Sequence, residues 1–406
     1  MKIVIAPDSF KGSLSAAKVA AALAGGVLQV VPDACIDLCP MADGGEGTVD
    51  AMVAATNGRL ITTDVFDPLG APIRARFGLL GAAVRGFGSL PGEVGLCGSL
   101  HVASGEGEPA KVAGGAVAVI EMASASGLGL IPTEKRDPLR TTTFGTGQLI
   151  LAALDAGARK IIVGIGGSGT VDGGCGCAQA MGVVFTDRQN KAIVCGLAGG
   201  GLTDIEGIDL SDRDPRLAEV RVRVACDVAN PLTGPDGAAM VYGPQKGATP
   251  EMVRRLEAGL VHLAGTIRRE MAMDIEKVPG AGAAGGLGAG LVAFAGATLE
   301  SGIEIVAEAV GLAGRLSGAK LCITGEGKLD AQSLSGKAAV GVAQIARQAN
   351  VPVLCIPGQA EPDLPQAIFH AVRPLVGDGI AVRAAMLQTE PLLRRRAAEA
   401  VREFLL

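Results

Sequence analysis

The chain opens by alternating short apolar runs with segments of helical period. Residues 2–7 form an apolar run, 15–31 carry Ala, Leu and Val at helical spacing, 35–40 are a second run, and 48–56 a second helical segment. Uninterrupted apolar runs bounded by turn residues read as buried strands. The opening therefore predicts strand–helix–strand–helix, with right-handed crossovers and a parallel sheet. After Gly58 the pattern changes: 62–66 and 72–79 flank Asp67-Pro68-Leu69-Gly70, which is a hairpin pattern. Residues 81–115 are glycine-rich and read as loop or short hairpin. From Ala116 the alternation returns, with strands at 117–122, 160–165 and 221–226. Helices are predicted at 147–156, around 179–181, and at 250–273. Residues 320–324, 336–348 and 352–357 make a strand–helix–strand unit, and 391–404 a charged helix with a solvated face. The fold class is α/β in two domains. One is discontinuous, 1–60 plus 285–406, with a single sheet completed from both ends of the chain; 61–284 form the second.

Composition narrows the picture. A chain of 406 residues exceeds the size at which single cores stop growing, and 49% hydrophobic with 19% charged residues excludes disorder. A net charge of −5, 2% aromatics and no Trp offer neither a basic field nor stacking platforms, so nucleic acid is excluded as a partner. Residues 278–299 are uncharged and long enough to cross a bilayer, yet mostly Gly and Ala. They read as a glycine-rich loop entering a helix, with no membrane partner. The first residues lack the features of a signal peptide and the nine cysteines are irregularly spaced, so buried reduced thiols and a cytoplasmic location are expected. Cys175-Gly-Cys177 is too tight for an ordinary metal pair, and His101, His262 and His370 sit in no motif.

Four glycine-rich segments carry charge directly after strands, where open α/β sheets bind ligands. Asp8-Ser9-Phe10-Lys11-Gly12-Ser13 leads into the first helix; its lysine and hydroxyls suit an anion, the alternative being a simple cap. Met41-Ala42-Asp43-Gly44-Gly45-Glu46-Gly47 sets two carboxylates on a backbone opened by glycines, suited to Mg²⁺ or a hydroxyl nucleophile. Residues 164–169 match G-x-G-x-x-G, with Asp187 further on, but the glycine run continues to Gly174 and delays the helix a pyrophosphate would occupy. Thr324-Gly325-Glu326-Gly327-Lys328-Leu329-Asp330 and Ser333-Leu334-Ser335-Gly336-Lys337 combine lysines with acids fit for phosphoryl oxygens and metal. No G-x-x-x-x-G-K-[ST] and no protein-kinase motif is present. Residues 243–247 and 280–290 read as further loops able to close over a nucleotide, or as plain connections.

Taken in order, these blocks closely resemble the glycerate kinase family of the bacterial type that makes 2-phosphoglycerate. Thr142-Thr143-Phe144-Gly145-Thr146-Gly147 and Cys226-Asp227-Val228-Ala229-Asn230-Pro231-Leu232 add to the match, which covers nearly the whole chain. One block departs: where the family has Ala-Thr-Asn-Asp, this chain has Gly169-Thr170-Val171-Asp172. The resemblance implies ATP and Mg²⁺, a flavodoxin-like domain, a second domain with a restriction-endonuclease-like core, and an active site in the cleft between them. It implies phosphorylation of D-glycerate at the 2-hydroxyl, with the 3-hydroxyl as the other outcome. On it rest the expected roles: Asp172 or Asp43 as base and Lys11 in catalysis; Ser9, Ser13, Gly166, Gly167, Ser168, Gly286, Lys328 and Lys337 on ATP and its phosphates. Asp8, Lys11, Asp227 and Asn230 are expected on the substrate, and Glu46 and Asp330 on the metal. A dehydrogenase binding NAD through 164–169 and a glycerate-binding sensor are the rivals, and a homo-oligomer stays open.

Overall fold

The computed structural model describes residues 1–81, 116–194, 196–330, 337–361, 367–377 and 379–406. His101, Ser333–Gly336 and all of the 81–115 loop but its first residue lie outside that set. The strands, in chain order, are β1 (Lys2–Ile5), β2 (Cys35–Leu38), β3 (Arg59–Phe66), β4 (Pro72–Leu79), β5 (Ala116–Glu121), β6 (Ala158–Gly164), β7 (Val184–Thr186) and β8 (Gly207–Asp209). They continue with β9 (Arg221–Ala225), β10 (Thr298–Glu300), β11 (Leu321–Thr324), β12 (Lys328–Leu329), β13 (Val353–Cys355), β14 (Gln359–Ala360) and β15 (Ala371–Val372).

Two sheets organise the molecule. The first runs β15-β13-β11-β1-β2 and is parallel throughout. Strands from both ends of the chain make it, as the matching apolar runs foretold. The second runs β10-β9-β6-β5-β4-β3, parallel from β10 to β5, with the hairpin β3–β4 added antiparallel. The period of two in each strand sorts side chains between layers. Ile3, Ile5, Leu321 and Ile323 point to one face of the first sheet, under the helices Ala16–Leu28 and Thr389–Leu405. Val4, Cys322 and Val353 point to the other, where they share a core with Val117, Val119 and Ile162 of the second sheet and with helices Thr48–Thr56 and Gly302–Ala309. The far face of the second sheet, with Ala118, Ile120, Ile161 and Val163, is covered by helices Phe144–Asp155 and Ala283–Ala295, and helix Pro250–Met271 adds to the same core. A helical layer thus joins the two sheets back to back.

One element differs from expectation. The charged C-terminal helix presents more than a solvated face: Leu392, Leu393, Ala397 and Val401 are buried on Ala16–Leu28. Gly26 permits that approach, since a Cβ there would lie 2.2 Å from the Arg394 carbonyl oxygen. Helix Ala283–Ala295 is buried among the core helices, and Ala284, Gly285 and Gly286 at its start have left-handed backbone. No helix of the described residues is long and apolar enough to cross a membrane.

Candidate active site

The first sheet reverses its direction of winding between β1 and β11. In such sheets the loops leaving the carboxyl ends at the reversal diverge and open a crevice. A cleft of about 330 Å³ lies there. Residues 8–13 after β1 supply Asp8, Ser9, Phe10, Lys11 and Ser13; the loop after β2 supplies Asp43; Glu326, Gly327, Lys328, Asp330 and Lys337 follow β11; Gly358 and Gln359 follow β13. Three of the four segments singled out in the sequence therefore converge.

The acids of the cleft are held close together. Asp8 is buried, donates its backbone N–H to the Gly325 carbonyl at 2.8 Å, and accepts from Ser9 N–H. Burial and then the neighbouring Asp43 push its carboxyl up to about 7. Asp43 Oδ1 accepts from Gly45 N–H at 3.1 Å. On its other side stands Asp227, raised to about 6 by desolvation and by Asp43, with its Oδ1 on Gly302 N–H at 2.8 Å. Asp43 thus links the cleft to the segment after β9. Lys328 pairs with Asp330 at 3.5 Å and Glu361 at 2.9 Å, and Lys337 lies 3.8 Å from Asp330. Lys11 is exposed at the mouth.

The fourth segment touches this group from behind without lining the cleft. A Cβ on Gly164 would lie 2.5 Å from the Gly44 carbonyl oxygen, and one on Gly166 3.0 Å from Gly45 Cα. Side chains at either position would push the Asp43 loop out of place. Asp172, in the same segment, is fully buried. Its Oδ2 accepts from Thr143 N–H and Thr143 Oγ1, both at 2.7 Å, and from Gly176 N–H at 3.3 Å; Oδ1 accepts from Gly174 N–H at 3.1 Å. All four donors come from the protein itself, and Asp172 is not among the cleft residues. The base role expected of Asp172 is accordingly not carried forward, and its geometry is that of a tie between residues 143 and 172–176. Val171, in the block expected to depart from the family pattern, is buried in the core.

Of the other expected residues, Gly286, Glu46, Asn230 and Ser168 lie outside the cleft lining, whereas Ser13 lies within it. Gly286 packs on Gly173 and Leu232. Glu46 is exposed and outside the lining. Asn230 donates to the Asp236 carbonyl at 2.8 Å and accepts from Tyr242 Oη at 2.7 Å. Ser13 meets Thr389 Oγ1 at 2.6 Å and donates to the Met386 carbonyl, tying the first loop to the C-terminal helices. Ser168 accepts at 2.7 Å from Lys246, a buried lysine that also donates to the Thr170 carbonyl and that burial lowers to about 7. The dinucleotide reading of 164–169 fails on geometry. The next helix, Cys175–Ala180, begins beyond Gly174 with buried residues, and Asp187 is spent on an exposed turn, accepting from Gln189 and Lys191 N–H.

Sequence reading passed over Glu121 and Gln359. Glu121 Oε1 accepts from Val49 N–H at 2.7 Å, occupying the helix N-terminus behind Asp43. An acid ending β5 was its only signal. Gln359 follows a strand as the other cleft residues do, and the rule of carboxyl ends applied to 352–357 would have found it.

Comparison with known proteins agrees with this architecture. The glycerate kinase family model matches residues 3–405. A glycerate 2-kinase of Escherichia coli K12 is 46% identical over 372 residues, covering 92% of this chain and 89% of its own. A glycerate kinase of Halalkalibacterium halodurans is 44% identical over 398 residues, covering 97% and 96%. A crystal structure from Salmonella typhimurium LT2 that carries a glycerate kinase 2 name superposes with a TM-score of 0.84 at 44% identity, covering 100% of this chain and 98% of the other. Loops of matching sequence gathered at one switch point, on a matching fold, have one consistent reading: the chain is a kinase belonging to the glycerate kinase family.

Proposed function

We propose that the protein transfers the γ-phosphoryl group of ATP to the 2-hydroxyl of D-glycerate in the cleft at the β1/β11 reversal. The observation that carries this reading is the convergence there of Lys11, Lys328 and Lys337 with Asp8, Asp43 and Asp330. Phosphoryl transfer asks little covalent chemistry of a protein; it asks for alignment and for charge that neutralises the equatorial oxygens. Lysines on three long side chains supply the positive field, and the partly enclosed setting strengthens it.

Asp43 is the group we assign to the attacking hydroxyl. It accepts a single backbone hydrogen bond on Oδ1, lines the cleft, and stands between Asp8 and Asp227. Burial first, and then the charge of Asp43, raises both of those neighbours. Mg²⁺ fits the donor set as magnesium fits other kinases, through one or two carboxylates with the remainder from phosphate and water. Asp8 and Asp330 would hold it, and when bound it would offset phosphate charge. Asp8, whose ionisation burial and Asp43 oppose, gains from a cation beside it. Ser9 and Lys11 are placed to orient the anionic groups. The strand order of the first sheet, 2-1-3-4-5 when its own strands are counted along the chain, supports the flavodoxin-like description of the 1–60 plus 285–406 domain. The mixed sheet, whose strands run from Arg59 to Glu300, is the body we assign to the second domain, so the chain returns to the first domain after β10 rather than at 285.

Asp43→Asn tests the assignment. Loss of a positioned acid–base group lowers turnover by about 10²–10⁴-fold, while ADP affinity changes little. Turnover within a few-fold of the parent rejects Asp43 in this role.

A further inference from the structure

We propose that the apolar end of the cleft is the seat of the nucleobase of the phosphoryl donor, an inference that rests on the kinase reading above. The cleft lining falls into two chemically distinct sets of residues. The charged set has been described; the other, Phe10, Leu375, Val376, Val382, Ala385 and Met386, is apolar, and we take it as one end of the cleft. Every carbon of glycerate bears oxygen, so glycerate gains nothing from an apolar chamber. A nucleoside triphosphate has the same division as the cleft, an aromatic base at one end and phosphates at the other.

The wall is built for a ligand rather than closed on itself. Phe10, Leu375 and Ala385 are buried at 4%, 1% and 5% exposure, whereas Val382 and Met386 remain 45% and 48% exposed while lining the cleft. These two lie one turn apart on helix Val382–Leu387 and so share a face. Large apolar side chains left open on the rim of a cavity mark surface that a bound molecule covers. The two ends are also mechanically joined. Met386 Cε lies 3.5 Å from where a Cβ on Gly12 would stand, and the Met386 carbonyl accepts from Ser13 Oγ at 3.1 Å. The loop carrying Asp8 and Lys11 to the phosphates is thus the loop that braces the base wall. A base seated there directs its phosphates along 8–13 toward the lysines.

The test uses the full chain and two probes, ADP and inorganic tripolyphosphate, which presents the phosphates alone. The variant is Val382→Ser with Met386→Ser; both side chains are half exposed, so an unchanged melting temperature is the control for folding, and Met386→Ala alone is the milder second variant. ADP should bind at least about tenfold more weakly to the double variant, as expected when apolar contact is withdrawn from a bound base. Tripolyphosphate affinity and the KM for glycerate should stay within about twofold of the parent. Unchanged ADP affinity, or equal weakening of ADP and tripolyphosphate, overturns the base assignment and leaves the kinase reading standing. A parent protein that binds neither ADP nor ATP overturns both.

Discussion

Asp172→Asn separates a scaffold from a catalytic base, because the two roles predict opposite pairs of observables. The parent carboxylate receives three donors on Oδ2 and one on Oδ1 in a fully buried site. An asparagine can keep its oxygen toward Thr143 and Gly176, but it must then turn its NH₂ toward the N–H of Gly174. That forfeits one charge-assisted hydrogen bond, about 1.5–3 kcal/mol, and leaves buried donors facing each other, about 1–3 kcal/mol. Relief from burying a charge works in the other direction, since burial raises this carboxyl's pKa and so opposes its ionisation. A net loss of about 2–4 kcal/mol follows. At roughly 2–4 °C per kcal/mol for a body of this size, the melting temperature should fall by roughly 5–15 °C. Calorimetry read beside turnover, at a temperature where the variant is folded, distinguishes the two roles. A scaffold role predicts the thermal loss with turnover largely retained. Unchanged melting with turnover reduced by orders of magnitude rules out the scaffold role and returns Asp172 to the chemistry.

Further outcomes follow from the same geometry. The Asp8 carboxyl is raised from 3.8 to about 7, so the ligand-free protein should lose stability as pH rises from about 4 through 7. Asp8→Asn should flatten that slope in pH-dependent denaturation, leaving the smaller part that Asp227 contributes, and a variant with the parent's slope would contradict the assignment. In helix Ala16–Leu28, Gly25→Ala should be neutral or mildly stabilising, because its Cβ would meet only the flexible end of Arg394, at 3.4 Å. Gly26→Ala should destabilise by about 1–3 kcal/mol despite better helix propensity, because the clash is with backbone. Equal chemical-denaturation midpoints for the two would show that the C-terminal helix does not dock as described.

Local pattern carried the elements well where one segment decides its own fate. Helix Thr48–Thr56 and strand Pro72–Leu79 sit within the expected bounds, since a nine-residue apolar stripe and a hairpin turn are local signals. The site was legible for a related reason: charge on glycine-opened backbone after a buried strand is rare without a ligand, and residues 8–13, 43 and 326–330 did meet. What spacing did not show depends on partners far along the chain. Asp172 looks catalytic beside its glycines until Thr143, 29 residues away, fills its oxygens. Gly286 looks like part of a nucleotide loop until Gly173 is seen packed against it. The run Arg394-Arg395-Arg396 hid the apolar stripe of the last helix, although Leu392, Leu393, Ala397 and Val401 were there to read. Which carboxylate is buried and which glycine is crowded are properties of tertiary packing, and spacing alone does not encode them.

The most direct test of phosphoryl transfer in this cleft is a ³¹P spectrum of the purified chain with ATP, Mg²⁺ and D-glycerate. Transfer to the 2-hydroxyl places phosphorus beside a carbon bearing one hydrogen, so ADP should appear together with a phosphomonoester doublet. A triplet would move the attack to the 3-hydroxyl. Inorganic phosphate alone, or ATP left intact, would contradict transfer to glycerate altogether.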